Sequence, residues 1–376
     1  MSLLKTMQVL TDSAQYDLCD YASHSKSSSI NLPGIYQATG ANGCKIPLFK
    51  TLMSNECKND CRYCINQSKR DFQRLQLSPE YLAKVFMEYY NKGFVNGLFL
   101  SSGIADDSNE TMENMLDAVH ILRKDYGYKD YIHLKIVPGA SRDSIKRAMG
   151  LSNRVSINIE AATADGLSIL SSTKDYNNDI LKRLRWINSL RNSKGTYPYS
   201  THTTQMIVGA NGETDREILA RMSKIYKKSQ LKRTYFSPFS PVEGTEFENK
   251  EACSNLRTNK LYHADELLHS YGYKVRELVF DDNDQLLLDE DPKILAAEKM
   301  DIFPVEVNTG SYYDLIRVPG IGTKSAHRIL AARRKRPFTS YEQLRELGIA
   351  VNRAEKYIRI KGEYQSNLDF FSDLFE

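Results

Sequence analysis

The chain has 376 residues, with 51 Lys and Arg against 47 Asp and Glu and a formal charge of +4. At about 150 residues per domain this length suggests two or three domains, and 41% hydrophobic with 26% charged residues excludes wholesale disorder. No run approaches the about 18 apolar residues of a membrane span, and the opening Met1-Ser2-Leu3-Leu4-Lys5-Thr6 lacks the apolar block of a secretory signal, so a cytoplasmic protein is expected.

From about Ile46 to Phe239, short apolar runs alternate with helical patterns, the signature of repeated βα units around a parallel sheet. Strands are expected at Ile46–Met53, Gly97–Ser101, Tyr131–Val137, Arg154–Glu160, His202–Val208 and Lys232–Phe239. Between them, one helix has Ser78 as N-cap and Pro79 at its first position. Another carries Met112, Met115, Leu116, Val119 and Leu122 on one stripe. A third opens with Thr214-Asp215-Arg216-Glu217, which fits a capping box. The fold expected is α/β: six units form an open, partial (β/α)6 TIM-like barrel, with a doubly wound sheet as the alternative. Several strands alternate strictly. Ser156, Asn158 and Glu160 oppose Ile157 and Ile159; His133 and Lys135 oppose Ile132, Leu134 and Ile136; Thr203 and Gln205 oppose Thr204 and Met206. If helices cover the apolar faces, the polar faces point into the barrel, where a closed barrel packs Val, Ile and Leu. A polar interior implies a cavity for a polar ligand.

Six cysteines are unevenly placed. Cys57-Lys58-Asn59-Asp60-Cys61-Arg62-Tyr63-Cys64 clusters three of them just after the first expected strand, and such clusters mean metal or catalysis more often than disulfides. Thiolates are the usual ligands of iron–sulfur clusters, and an ordinary cubane takes four. Three cysteines hold three irons and leave one open to chelate a substrate. Zinc is the competitor, but a structural zinc site wants four N or S ligands, and no His lies in the neighbouring loop. Cys19, Cys44 and Cys253 stand apart as buried or free thiols. Cys253, beyond the sixth expected strand, is a candidate hydrogen donor.

With this spacing, and an aromatic Tyr63 before the last cysteine, the sequence resembles the radical S-adenosylmethionine (SAM) superfamily. Ile207-Val208-Gly209-Ala210-Asn211-Gly212-Glu213-Thr214 looks like its fifth-strand motif, whose apolar residue packs on adenine. Asn158 and Glu160 sit where several members bind the SAM ribose, and Ser237-Pro238-Phe239-Ser240-Pro241-Val242-Glu243-Gly244-Thr245 is similar to the sixth-strand ending of tRNA-modifying relatives. One departure stands out. The second-strand Gly-Gly-Glu that grips the SAM amino group reads Ser101-Ser102-Gly103, with no carboxylate; backbone carbonyls and serine hydroxyls would take its place. The resemblance implies a 4Fe-4S cluster on Cys57, Cys61 and Cys64, with SAM positioned by Tyr63, Ser101, Ser102, Gly103, Asn158, Glu160, Ile207 and Gly209. It further implies that one electron splits SAM to methionine and a 5′-deoxyadenosyl radical that abstracts hydrogen, and that a low-potential donor such as a flavodoxin or ferredoxin supplies the electron. The cofactor carries this chemistry and the protein orients it. Gln205, Lys135 and Tyr235 are the candidates for substrate contact and catalysis.

The charge balance changes towards the C-terminus. Between Tyr312 and Gly362 stand twelve cations against four acids, a net +8, which leaves −4 for the rest of the chain. A compact basic module on a mildly acidic body suggests an anionic polymer as partner. The run from Leu315 to Leu330, with Val318-Pro319-Gly320-Ile321-Gly322-Thr323-Lys324 at its centre, resembles a helix-hairpin-helix. Gly320 ends the first helix, Gly322 lets the backbone approach a phosphate, and the free N–H groups of the next helix face that anion. Gly320, Ile321, Gly322, Thr323, Lys324, Arg328, Arg333, Arg334, Lys335 and Arg336 form the expected nucleic-acid contact, attracting the polymer in a salt-dependent manner. In a second half, Thr339-Ser340-Tyr341-Glu342 fits a capping box, and Ala350 stands where the second hairpin glycine would be, so that copy packs more than it grips.

The organisation expected is an N-terminal extension over 1–45 packing on the barrel, the barrel over 46–250, a helix and acidic linker over 251–304, a small all-α helix-hairpin-helix domain over 305–362 and a tail over 363–376. Asp281-Asp282-Asn283-Asp284 and Asp289-Glu290-Asp291 lack the glycine and terminal glutamate of a calcium loop and read as a solvated linker. Gln365-Ser366-Asn367-Leu368-Asp369-Phe370-Phe371 resembles sliding-clamp-binding peptides, one residue short of their spacing. From the Gln15-Tyr16-Asp17 region to Gly362 the chain resembles radical SAM proteins with a helix-hairpin-helix tail that are assigned, by inference, to DNA modification or repair. The partner expected is DNA, with a flipped or single-stranded base as substrate. RNA with tRNA modification, a non-catalytic iron–sulfur DNA-binding protein and a zinc module are the alternatives.

Overall fold

The computed structural model describes residues 3–14, 32–39, 44–192 and 200–361. The Gln15–Asp17 region, Cys19 and the peptide from Gln365 to Phe371 lie outside them. The chain forms two compact units, Met1–Glu213 with Lys224–Asn255, and Thr214–Ser223 with Leu256–Glu376.

The first unit is built on one seven-stranded sheet: β1 (Ile35–Thr39), β2 (Lys45–Leu52), β3 (Gly97–Ser101), β4 (Tyr131–Lys135), β5 (Arg154–Ser156), β6 (Thr201–Val208) and β7 (Arg233–Pro238). The strands lie in sequence order, β2 to β7 all parallel. A doubly wound sheet reverses its order part-way; this one never does, so it is the curled, open barrel of six parallel strands. β1 adds an antiparallel edge, with Ile35 opposite Phe49. It escapes a search for alternation because all five of its residues are half-buried. The βα crossovers run through α2 (Pro79–Asn91), α3 (Ser108–Lys124), α4 (Arg142–Leu151), α5 (Ala164–Leu170) and α6 (Lys182–Asn192). Their starts follow local chemistry. Ser78 accepts from the Tyr81 N–H ahead of Pro79, and Met112, Met115, Leu116, Val119 and Leu122 are all buried along α3. α7 (Asp215–Lys228) opens with Thr214 and Glu217 bonded reciprocally, as the capping box requires.

The strand expected over Arg154–Glu160 stops at Ser156. Beyond it the N–H groups of Ile159 and Glu160 both donate to the Gln205 carbonyl, at 2.9 and 3.1 Å, while the Ile207 N–H returns to the Glu160 carbonyl. Two donors on one acceptor are a bulge, and Glu160 takes φ +64° to make it. The left-handed conformation is uncommon for a glutamate and re-aims its side chain.

The second unit is helical: α8 (Asn255–His269), α9 (Pro292–Glu298), α10 (Tyr312–Leu315), α11 (Thr323–Arg333), α12 (Tyr341–Glu346) and α13 (Val351–Ala354), closed by a two-residue parallel pair of β8 (Val305–Glu306) and β9 (Ile358–Arg359). Leu315, Val318, Ile321, Ala326, Ile329, Leu344 and Ile358 form its core. The acidic stretch is exposed at Asp281, Asp282, Asp289 and Glu290 and is locally ordered. Asp281 accepts from the N–H groups of Asn283 and Gln285, Phe280 bridges Leu286, and Asp284 pairs with Arg216 at 2.5 Å. The box expected at Thr339–Glu342 does not form. Ser340 is the N-cap without a side-chain bond, and the Thr339 N–H donates to Gln343 instead.

Candidate active site and nucleic-acid interface

In the first unit, the loop leaving β2 carries Cys57, Cys61 and Cys64 to one wall of a cavity of about 230 Å³. Distant groups hold the loop in shape. Arg74 donates to the carbonyls of Asn55, Asn66, Gln67 and Arg70, at 2.6–2.9 Å, with its guanidinium 3.9 Å from the centre of the Phe72 ring. Arg62 pairs with Glu246 at 2.8 Å, and Lys69 shares that carboxylate at 2.6 Å. Asp60, between two of the cysteines, accepts from the hydroxyls of Ser171, Ser172 and Thr173. Burial pushes its carboxyl up, but these hydrogen bonds outweigh burial and hold it well below the usual carboxylate range.

The cavity gathers most of the expected SAM and substrate residues: Tyr63, Ser101, Ser102, Gly103, Asn158, Glu160 and Ile207, with Lys135 and Gln205. The register explains the grouping. Leu52 pairs with Ser101, Lys135 with Ser156 and Gln205 with Tyr235, so alternate residues of neighbouring strands share the interior face. Gly103 is a close backbone approach: its N–H donates to the Ser54 carbonyl at 2.7 Å, and an added Cβ would stand 2.2 Å from the Glu56 carbonyl oxygen. Ser101-Ser102-Gly103 thus fastens the cysteine loop to the end of β3.

Two expected residues are not on the cavity wall. Gly209, at φ +91°, lies under Cys253, whose Cβ would be 2.7 Å from an added Cβ. Tyr235 is buried lower in the barrel, beneath the Arg233 guanidinium. The motif places Gly209 for its turn, and the pleat puts Tyr235 one step below Ser237, which does line the cavity.

Lys174 lines the cavity and was not legible in the sequence, where Ser171-Ser172-Thr173-Lys174 matches no motif. Its ammonium pairs with Glu160 Oε1 at 3.2 Å, both side chains buried, and the Cys61 thiol is its electrostatic neighbour. Burial pulls the Lys174 pKa down, but Cys61 and Glu160 outweigh it and hold it well above the ordinary value. Burial raises the Cys61 thiol, opposed by Lys174, and also raises the Cys64 thiol. Beneath the cavity, burial keeps His133 neutral, with Nε2 2.8 Å from the Ser156 hydroxyl. Glu160 Oε2 is buried and makes no hydrogen bond among the described residues. Three thiols, a lysine and an open carboxylate oxygen around one cavity fit an iron–sulfur cluster with a polar, charged co-substrate.

In the second unit, Gly320 at φ +87° turns the chain between α10 and α11, and its Cβ position is 2.7 Å from the Ala350 carbonyl, so the two hairpins meet there. Gly322 caps α11. Lys324, Arg334, Lys335 and Arg336 are exposed. Arg328, also exposed, and Arg333, half-buried, bond to the fold as well. Arg328 donates to the Leu347 carbonyl at 2.6 Å, and Arg333 to the carbonyls of Val307 and Gly310 at 2.8 and 2.7 Å. Basic residues near helix ends satisfy orphan carbonyls, which composition alone does not reveal.

Residues 51–225 match the family model of the radical SAM superfamily, and residues 302–354 match the helix-hairpin-helix motif. No curated protein matches the sequence. Among solved structures, HydG, a maturase of the [FeFe]-hydrogenase, is 14% identical with a TM-score of 0.48, over 58% of this chain and 49% of that one. Methylornithine synthase (PylB) is 14% identical with a TM-score of 0.47, over 65% and 66%. HydG from Carboxydothermus hydrogenoformans is 15% identical with a TM-score of 0.45, over 58% and 50%. The chain thus spans about half the length of the HydG structures it resembles. No helix among the described residues is long and apolar enough to cross a membrane.

Proposed function

We propose that this chain, a radical SAM enzyme that uses a 4Fe-4S cluster and S-adenosylmethionine, acts on a nucleic acid, DNA in the first place, in its modification or repair. The observation that carries the reading is the pairing, in one chain, of a three-thiol cavity with a basic hairpin of the kind that grips phosphate. In this reading the barrel, 46–250, holds the chemistry and 305–362 anchors the polymer.

Cys57, Cys61 and Cys64 ligate the cluster, which with SAM supplies reductive cleavage of a sulfonium bond and hydrogen abstraction. The electron comes from a low-potential donor such as a flavodoxin or ferredoxin. Lys174 offsets the negative charge of Cys61 and Glu160 in a cavity where water screens little. Glu160, aimed inward by its left-handed backbone, offers Oε2 to a ribose hydroxyl, beside Asn158. Ser101 to Gly103 present hydroxyls and carbonyls to the amino group in place of a carboxylate. Ile207 gives adenine an apolar face, and Lys135 and Gln205 reach the remaining space as substrate contacts. A base within a duplex cannot enter such a cavity, so the target nucleotide is flipped or single-stranded.

The test is anaerobic incubation of reconstituted protein with SAM, dithionite and, in separate arms, single-stranded DNA, duplex DNA and tRNA. We expect 5′-deoxyadenosine with intact Cys57, Cys61 and Cys64, none with Cys61→Ala, and a product on DNA. Unchanged formation in Cys61→Ala removes the cluster assignment; a product on tRNA alone moves the substrate to RNA.

A further inference from the structure

Among the described residues, Tyr313 on α10 is the most exposed of the large apolar side chains, at 67%. It does not stand alone. Its ring lies 5.6 Å from that of Tyr312, at 78°, and the Tyr312 ring lies 4.8 Å from the His327 imidazole of α11, at 30°. Tyr312 packs partly against the core of the unit, while His327 is exposed. Three aromatic rings from two helices therefore form one continuous group that begins at the core and ends in solvent.

The backbone beneath Tyr313 is fixed. Ser311 and Asp314 close a capping box around the start of α10. At its end, Arg317 donates to the Tyr313 carbonyl at 3.3 Å and pairs with Glu277 at 2.9 Å. The turn into α11 is braced by Lys293 of α9, only 8% exposed, whose ammonium donates to the Ile321 carbonyl at 2.7 Å and lies 4.6 Å from the centre of the Tyr271 ring. None of these contacts involves the Tyr313 ring. A ring left in water forgoes the stabilisation of burial, and tyrosines are enriched where such a ring meets a partner.

Charge selects the partner. Lys324 stands three residues before His327 and four before Arg328, so the three share one side of α11, and all are exposed. Asp314, the acid next to Tyr313, is turned back on the Ser311 N–H at 2.9 Å. Cations beside open rings fit a strand that offers phosphates and base faces together. A duplex keeps its base faces inside the stack.

We infer that Tyr313, with Tyr312 and His327 beside it, is a stacking seat for an unpaired base of the strand that this unit holds. The inference rests on the nucleic-acid reading and deepens it: the polymer has a base out of its duplex where the second unit grips it. Every base has a π-face, so the seat selects the form of the strand and not its sequence.

The experiment is fluorescence anisotropy of labelled single-stranded DNA, the same sequence as a duplex, and tRNA, each with the full chain. Tyr313→Leu keeps an apolar side chain and removes the ring; Tyr313→Phe keeps the ring and removes the hydroxyl. Tyr313→Ser serves if the leucine variant does not fold. We expect Tyr313→Leu to bind the single strand about tenfold more weakly and the duplex as the wild type does. The salt slope stays unchanged, since no cation is lost, and Tyr313→Phe keeps wild-type affinity. Wild-type binding of the single strand by Tyr313→Leu, or an equal loss on the duplex, overturns the inference and leaves the nucleic-acid reading standing. If the wild type binds tRNA and neither DNA, the same loss in Tyr313→Leu is expected on tRNA, and its absence there overturns the seat. A wild type that binds none of the three overturns the nucleic-acid reading and the seat with it.

Discussion

Each unit buries a lysine, and the two differ in what surrounds them. Lys174 has Glu160 at 3.2 Å and the Cys61 thiol beside it, and its pKa is held above the ordinary value. Lys293 has a carbonyl, an aromatic ring and an acid already engaged elsewhere, and its pKa falls to about 7. Where the partner charge is part of the fold, the lysine is locked in the charged state and stiffens the site. Where it is missing, burial wins and the lysine's pKa falls.

The sharpest way to break this comparison is Lys174→Met. It leaves the buried Glu160 carboxylate without a counter-charge, so we expect a loss of about 3–5 kcal/mol in denaturant unfolding, most of it restored by the double change Lys174→Met with Glu160→Gln. Equal stability of single and double variants would show that the pair contributes little.

Asp60→Asn comes next, at about 2–3 kcal/mol, since three hydroxyls lose an ionised acceptor. Its folded pKa lies below the ordinary 3.8, so its contribution is complete above that pH and drains away as pH falls below it. Acid unfolding of Asp60→Asn should therefore be flatter than that of the wild type over this range. Gly320→Ala is smaller, roughly 1–3 kcal/mol. It combines strain at φ +87° with a Cβ placed 2.7 Å from the Ala350 carbonyl, and a lower melting temperature would report it.

The subtlest effect is a slope. Because the folded Lys293 titrates near 7 and the unfolded side chain near 10.5, the unfolded chain binds more protons between these values. Stability should rise with pH across that window and stay level in Lys293→Met.

Much of this was readable along the chain. The three cysteines sit within eight residues, the βα alternation is regular, and the caps at Ser78 and Thr214 involve partners three residues away. Such signals survive in a string because the groups that interact are neighbours in it. The interior face of the barrel was also readable, since alternation in a strand reports its two environments. Lys174, Asp60, Arg74 and Lys293 were not. Asp60 depends on Ser171 to Thr173, more than a hundred positions away, and Lys293 depends on Ile321, twenty-eight residues on. Arg328 and Arg333 add contacts no count of cations reveals: each also donates to carbonyls of the fold, at Leu347 and at Val307 and Gly310.

The order of amino acids alone therefore determined which chemistry is carried, through thiols at a set spacing, and which segments become strands and helices, because short-range sterics and hydrogen bonding decide both. Folding in three dimensions decided the state of each charge. Only when separate segments close around Glu160, Lys174 and Lys293 does water leave, and only then do distance and burial select which of them has a counter-charge and which has none.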